Sequence, residues 1–141
     1  MAQLGRSSQR VSGEPILIVD DNSSNLELMG DLLGASGYEV RKALDADEAL
    51  ATLHDFRPRL ILMDIQLPGM DGLTLTRMLK SNPSKRHIII LGLTAYAMPG
   101  DAERVLAAGC DGYIQKPIDT RALPGVIQAY LHPPPPVRDP L

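Results

Sequence analysis

Apolar residues form three continuous runs in the middle of the chain, Ile16–Val19, Leu60–Met63 and Ile88–Leu93. Continuous rather than alternating apolar character is typical of strands that are covered on both faces. Two further short segments, "YEVRKA" and "GYIQK", also have strand composition. The pattern therefore predicts five strands, and the sequences of the central three indicate that they are fully buried.

Helical periodicity fills the gaps between these strands. In one segment Ala46, Ala49, Leu50 and Leu53 follow the i, i+3, i+4, i+7 spacing of an apolar helix face. The other apolar stripes are Leu26, Met29, Leu32 and Leu33; Leu75, Met78 and Leu79; and Leu123, Val126, Ile127, Tyr130 and Leu131. The first helix is predicted to start at Ser24, in a capping box with Glu27, or at Asn22. The next three are predicted to start at Asp45, Asp71 and Pro99. The fifth should start near Leu123, because Pro124 is tolerated only in the first turn of a helix. Gly109 is predicted to end the fourth helix.

Strand and helix thus alternate five times, which predicts a parallel sheet with helices on both faces and right-handed crossovers. The polar residues that follow the apolar runs are then informative. Asp20 and Asp21 follow the first run, Asp64 the third strand, Thr94 the fourth and Lys116 the fifth. The carboxyl ends of parallel strands share one edge of the sheet, where ligands of such folds bind. We therefore expect these five side chains to converge on one pocket.

Three clustered carboxylates repel one another, and burial disfavours their charged forms further. Mg²⁺ relieves this repulsion, since it accepts carboxylates and retains waters or phosphate oxygens in its coordination shell. Lys116 supplies a charge suited to phosphoryl oxygens, and Thr94 supplies a hydroxyl donor. Asp64 is then free to act as a nucleophile that forms an acyl phosphate. A simpler alternative is that Asp20 and Asp21 only favour a helix N-terminus.

Composition limits the remaining possibilities. The chain has 141 residues, a formal net charge of −3 and a single cysteine, Cys110, so a direct nucleic-acid partner and an internal disulfide are not expected. No segment is apolar enough to span a bilayer, and we expect a cytoplasmic protein. His54, His87 and His132 lack metal-ligand spacing and are interpreted as surface residues. Residues 1–14 are predicted to be a disordered tail, residues 15–131 the folded domain and residues 132–141 a Pro-rich tail.

Four segments, "VDDN", "ILMDIQLPGMDG", "LTAYAMPGD" and "GCDGYIQKPID", resemble response regulator receiver domains of two-component signalling. The resemblance extends over Pro15 to Leu131 and is greatest to single-domain cell-cycle regulators and to the receiver domains of hybrid histidine kinases. It implies a doubly wound, flavodoxin-like (βα)5 fold with five parallel strands in the order 2-1-3-4-5.

The resemblance also implies a role for each acidic residue. Asp64 would receive a phosphoryl group from the phosphohistidine of a histidine kinase or a histidine phosphotransfer protein. Asp21 and Asp64 would bind Mg²⁺ directly, together with the backbone carbonyl of Gln66. Asp20 would contribute through a water molecule.

Lys116 would contact the phosphoryl group, and the bond from Lys116 to Pro117 would be cis. Thr94 would bond a phosphoryl oxygen, and Tyr113 would change rotamer with it as a switch. A target protein would then bind the face formed by the fourth helix, the fifth strand and the fifth helix. Tyr96 and Gln66 would tune the lifetime of the phosphorylated state.

Three alternatives remain at the level of sequence. An aspartyl-phosphate phosphatase would need a second Asp two residues after the nucleophile, where this chain has Gln66. A pseudo-receiver, which binds proteins without turning over phosphate, usually lacks one of the five site residues, and all five are present here. The chain is also compatible with an excised receiver domain of a hybrid kinase. In each receiver reading the domain assists its own phosphorylation and dephosphorylation and is not an enzyme in the usual sense.

Overall fold

The computed structural model describes residues 13–95 and 100–133. A five-stranded sheet with the strand order β2-β1-β3-β4-β5 lies at its centre, and every adjacent pair is parallel. This confirms the predicted flavodoxin-like topology. The strands are β1 (Pro15–Val19), β2 (Glu39–Ala43), β3 (Leu60–Asp64), β4 (Ile89–Thr94) and β5 (Gly112–Gln115).

Within the described residues, five helices cover the two faces of the sheet: α1 (Ser23–Ala35), α2 (Ala46–Thr52), α3 (Gly72–Ser81), α4 (Asp101–Ala107) and α5 (Leu123–Leu131). Alternate residues of β1 show how the sheet divides the core. Leu17 and Val19 pack with the buried residues of α2, α3 and α4, whereas Ile16 and Ile18 pack with those of α1 and α5. All four of these side chains are fully buried, as the continuous apolar run predicted.

Side-chain caps set the starts of three helices. Asn22 accepts a hydrogen bond from the Asn25 backbone amide at 3.0 Å. Asn22, and not Ser24, is therefore the N-cap of α1. Asp45 accepts from the Glu48 amide and Asp71 from the Thr74 amide, both at 2.8 Å. Each of these caps satisfies a backbone N–H group that lacks a partner within its own helix.

The other helix ends differ in detail. Gly100 precedes α4 in a left-handed conformation, and Gly109 follows α4 with φ of 112°, as predicted for a helix end. Pro99, the predicted start of α4, lies outside the described residues. Helix α5 begins at Leu123 with Pro124 in its first turn, which agrees with the late start expected from that proline.

Two residues of the predicted apolar helix stripes are exposed. Met78 of α3 has 44% of its surface exposed and Tyr130 of α5 has 37%. Thr76 occupies the interior of α3 in place of Met78, because Leu73, Leu75 and Leu79 orient the helix so that Thr76 faces the core. Met78 therefore belongs to the apolar stripe of α3 without being a core residue.

None of the helices within the described ranges combines the length and apolar character needed to cross a bilayer. Most of the two predicted tails, residues 1–12 and 134–141, lies outside the described residues, so the division into tail, domain and tail stays a prediction. The three histidines are exposed and Cys110 is buried.

Candidate functional site

Asp64 is the last residue of the central strand β3 and has only 3% of its surface exposed. Its Oδ1 accepts the Gln66 backbone N–H at 2.9 Å, and its Oδ2 accepts a hydrogen bond from Lys116 Nζ at 3.1 Å. Burial raises the pKa of Asp64, and the nearby Asp20 adds to that effect. The hydrogen bonds from Gln66 and Lys116 oppose the rise without cancelling it. The carboxylate is thus held in place and lies where its charge is costly.

Asp20 and Asp21 follow β1, and their environments differ. Asp20 is fully buried, and its oxygens accept hydrogen bonds from the Asn22 backbone N–H at 2.9 Å and from Asn25 Nδ2 at 3.4 Å. Its Oδ2 also lies 3.4 Å from Lys116 Nζ. Asp21 is exposed. Asp20 is therefore a fixed part of the site, while Asp21 presents its carboxylate to solvent at the mouth.

The three carboxylates are close enough to bind one cation. One oxygen from each of Asp20, Asp21 and Asp64 lies within 4.8 Å of the others. Two ligand oxygens of one Mg²⁺ are roughly 3 to 4 Å apart, given coordination distances of about 2.0–2.1 Å. Small side-chain movements would bring these oxygens to that spacing. Three carboxylates and the Lys116 ammonium leave a formal charge of −2, which a divalent cation cancels. The residues therefore fit Mg²⁺.

Lys116 directly follows β5 and closes the site from the edge of the sheet. Its backbone N–H donates to the Thr94 carbonyl at 2.7 Å, and its peptide bond to Pro117 is cis, as the resemblance implies. Burial lowers the pKa of Lys116, but the hydrogen bonds and charges of Asp64 and Asp20 outweigh burial and raise it overall. The ammonium form is therefore the one that the site favours.

Thr94 and Tyr113 lie on neighbouring strands. Thr94 ends β4, is 3% exposed and pairs with Gln115 of β5 in the sheet register. Tyr113 pairs with Gly92 and has 42% of its surface exposed. The aromatic ring of Tyr113 thus lies at the surface, whereas the Thr94 side chain is buried at the carboxyl edge that carries the three acids.

The structure brings together the side chains of Asp20, Asp21, Asp64 and Lys116, with Thr94 at the end of the adjacent strand. Gln66 is exposed and contacts Asp64 through its backbone N–H. Tyr96 lies outside the described residues. Asn25, whose side-chain amide contacts Asp20 from the first turn of α1, was not predicted as a site residue. Only its position five residues after Asp20, where a helix turns back over the strand end, could have indicated this contact.

The fold and the acidic edge are those of a receiver domain, and a family comparison agrees. The model of the response regulator receiver domain matches residues 16–128. The chain belongs to the response regulator receiver family. Among characterised relatives, the polar-differentiation response regulator DivK of Brucella anthropi is 46% identical over 116 residues, which is 82% of this chain and 94% of the relative. DivK of Brucella ovis is 45% identical with the same coverage.

Solved structures agree with this assignment. The CheY-like receiver domain protein of Methanospirillum hungatei JF-1 has a TM-score of 0.77 at 35% identity, with 84% of this chain and 93% of that chain covered. The receiver domain of a sensor histidine kinase from Pseudomonas aeruginosa PAO1 has a TM-score of 0.76 at 34% identity, with 84% and 98% covered. That structure contains a magnesium ion coordinated in its active-site cleft. Domains of this family act in phosphorylation-dependent signalling with histidine kinases and downstream targets, and in general are not enzymes in the usual sense.

Proposed function

We propose that this chain is a phospho-accepting receiver domain in which Asp64 takes a phosphoryl group from the phosphohistidine of a histidine kinase or a histidine phosphotransfer protein. The observation that carries the proposal is the position of Lys116 Nζ, 3.1 Å from Asp64 and 3.4 Å from Asp20, beside the three clustered carboxylates. A structural ion pair needs one acid, whereas a phosphoryl site needs a nucleophile, a cation and a metal-binding group together.

Asp21, Asp64 and the backbone carbonyl of Gln66 would hold Mg²⁺ directly, and Asp20 would assist through a water molecule. The difference in burial between Asp20 and Asp21 supports these separate roles. Asp20 already accepts hydrogen bonds from Asn22 and Asn25, while Asp21 is exposed. When bound, the metal would offset the negative charge that builds up on the transferring phosphoryl oxygens.

Transfer then requires little movement of the protein. A carboxylate oxygen of Asp64 forms a bond to phosphorus as the phosphorus–nitrogen bond of the donor phosphohistidine breaks, and the imidazole leaves with the electron pair of that bond. Lys116 would release Asp64 Oδ2 and bind a phosphoryl oxygen in its place. The Gln66 N–H group on Asp64 Oδ1 keeps the carboxylate oriented while this exchange takes place.

The signal would leave the site through Thr94 and Tyr113. A phosphoryl group carries about two negative charges and three acceptor oxygens, and would draw the Thr94 hydroxyl toward it. The ring of Tyr113, which is exposed here, would move into the space beside β4 and change the surface formed by α4, β5 and α5. The two ring positions are the bistable element that a switch requires. A target protein that prefers one of them would bind in response to phosphorylation or relay the phosphoryl group onward.

Intact-mass measurement after incubation with Mg²⁺ and acetyl phosphate tests the nucleophile. We expect one adduct of about 80 Da on the parent protein and none on Asp64→Asn, which keeps the shape but lacks the carboxylate. Asp31→Asn, on the exposed side of α1, is the matched control and should be labelled normally. A full adduct on Asp64→Asn would overturn the assignment.

A further inference from the structure

A second cavity, of about 250 Å³, lies at the opposite edge of the sheet from the acidic site. Its walls are the loop between α2 and β3 and the loop between α3 and β4. Three buried apolar side chains, Leu53, Phe56 and Ile88, line it. Four basic or imidazole side chains line it as well: His54, Arg57, Lys85 and His87. The cavity thus combines an apolar lining with a cationic one.

The four nitrogen-bearing side chains are available to a ligand. Within residues 13–95 and 100–133 none of them forms a hydrogen bond or an ion pair through its side chain. No carboxylate is among the described residues that line the cavity, although Asp55 lies in the same loop. Ser84 also lines it, but its hydroxyl already donates to Asn82. An oxygen-rich anion would therefore meet donors without displacing an existing partner.

Hydrogen bonds within the loop and from α3 connect the loop that carries Lys85 and His87. Lys80 Nζ donates to the Ile88 carbonyl at 2.7 Å and to the Arg86 carbonyl at 3.2 Å. The Lys85 amide donates to the Asn82 carbonyl, and the Ile88 amide to the Lys85 carbonyl. On the other wall, the Arg41 guanidinium lies 4.7 Å from the centre of the Phe56 ring. Such preorganised walls reduce the entropy that binding a small ligand costs.

A simpler cause accounts for the positive charge alone. Helices α2 and α3 both end at this edge, and cations are favourable near helix C-termini. That cause does not account for a concave site whose walls include buried apolar side chains. Arg is suited to bidentate recognition of phosphate, and Lys to a point contact with it. The cavity is slightly smaller than the roughly 300–1,000 Å³ of typical ligand pockets, which favours a small molecule.

We propose that this cavity is a binding site for a small organic phosphate monoester, whose phosphate contacts Arg57 and Lys85 and whose apolar body lies against Phe56 and Ile88. The site is separate from Asp64. Strands β3 and β4 begin beside the cavity and end at Asp64 and Thr94, about five residues or roughly 16 Å further along. Binding here therefore leaves the phosphoryl-acceptor site open.

Phenyl phosphate is a suitable probe, with phenol as its uncharged counterpart and inorganic phosphate as the anion without an apolar body. The measurement is a titration of the ¹⁵N-labelled full chain, without divalent metal, followed by amide chemical shifts. We expect saturable shifts at residues 53–57 and 84–88 with phenyl phosphate, and weaker binding of both counterparts. Shifts confined to Asp20, Asp64 and Lys116, or no saturable shift at all, would overturn the proposal.

Variants that remove one charge distinguish a defined binding site from a generally positive surface. Arg57→Gln and Lys85→Gln should each raise the dissociation constant about tenfold, as expected for loss of one charge-assisted hydrogen bond. Arg86→Gln is the matched control, because Arg86 belongs to the same loop and does not line the cavity. Equal weakening by all three variants would show a general surface charge and refute the proposal. Acetyl phosphate labelling of Asp64 should remain unchanged in all three, so the two proposals fail independently.

Discussion

Binding of Mg²⁺ should stabilise the folded chain, and Asp21→Asn should abolish that stabilisation. The site holds three carboxylates and one ammonium, whose formal charges leave −2 within a few ångströms. Two unit charges 4.8 Å apart repel by about 3.5 kcal/mol at an effective dielectric of 20 and by about 0.9 kcal/mol in bulk water. Since Asp21 is exposed, the lower figure is the better guide to its repulsion with each of the other two acids.

Asp21→Asn should therefore raise the stability of the metal-free protein and remove the further stability that Mg²⁺ gives the parent. Without metal, Asp21→Asn removes both repulsions and should raise the free energy of unfolding by about 1–2 kcal/mol. With Mg²⁺ at ten times its dissociation constant, the parent should gain about 1.4 kcal/mol from binding. For a domain of this size that gain corresponds to a rise in the melting temperature of about 3–6 °C.

Thermal unfolding followed by circular dichroism, over a series of MgCl₂ concentrations at constant ionic strength, measures both effects. Asp31→Asn removes an exposed carboxylate of α1 that is not part of the cluster and should respond to Mg²⁺ as the parent does. If the melting temperature of Asp21→Asn still climbs with Mg²⁺ as steeply as that of the parent, Asp21 is not a ligand. The charge argument for the site would then be refuted.

Three further predictions concern the switch and the loops around the site. Thr94→Ala should still acquire the phosphoryl adduct from acetyl phosphate, but the ¹⁹F resonance of a fluorotyrosine at Tyr113 should no longer shift on phosphorylation. An undiminished shift would show that Thr94 does not couple phosphorylation of Asp64 to movement of Tyr113. Asp71→Ala should cost about 1 kcal/mol at pH 7 by urea unfolding. Capping hydrogen bonds, chiefly from the Thr74 backbone N–H, lower the pKa of Asp71 in the folded state. The stability that the Asp71 carboxylate contributes is therefore complete above its unfolded-state pKa of about 3.9 and is lost as the pH falls through its lower folded-state pKa. If Asp71→Ala destabilises the protein equally at pH 2 and pH 7, the capping carboxylate is not the cause. Gly72→Ala places a Cβ 2.1 Å from the Asp64 carbonyl oxygen and should cost about 1–3 kcal/mol together with slower labelling; a neutral effect on both would show that the loop yields freely.

Most of the fold was predictable because its signals are local. Continuous apolar runs identified β1, β3 and β4, and capping acids identified the starts of α2 and α3. The rotation of a helix about its axis was harder to predict. Met78 fits the apolar spacing of α3, yet the choice between Met78 and Thr76 for the interior depends on where Leu73 and Leu75 pack, and that contact is tertiary.

The candidate site was predictable as a group, because parallel strands place their carboxyl ends together. The separate environments of its members were not. Asp20 and Asp21 are adjacent in sequence, but one is fully buried and the other exposed, since consecutive residues leave a strand end in different directions. The pairing of Lys116 with Asp20 as well as Asp64 also depends on the three-dimensional arrangement. The second cavity gave no sequence signal, because its charged residues lie in two loops without periodicity.

The outer strand β2 bears on how the protein behaves at high concentration. Among residues 13–95 and 100–133, no strand pairs with the outer side of β2, and such edges can recruit a second chain by continuing the sheet. Here the strand carries two consecutive exposed cations, Arg41 and Lys42, anchored by the Phe56 ring and by Glu27 respectively. Bringing two copies together along this edge would juxtapose like charges and strip their hydration. Arg41 and Lys42 therefore disfavour edge-to-edge aggregation through β2. Replacing them with β-branched apolar residues would remove that protection.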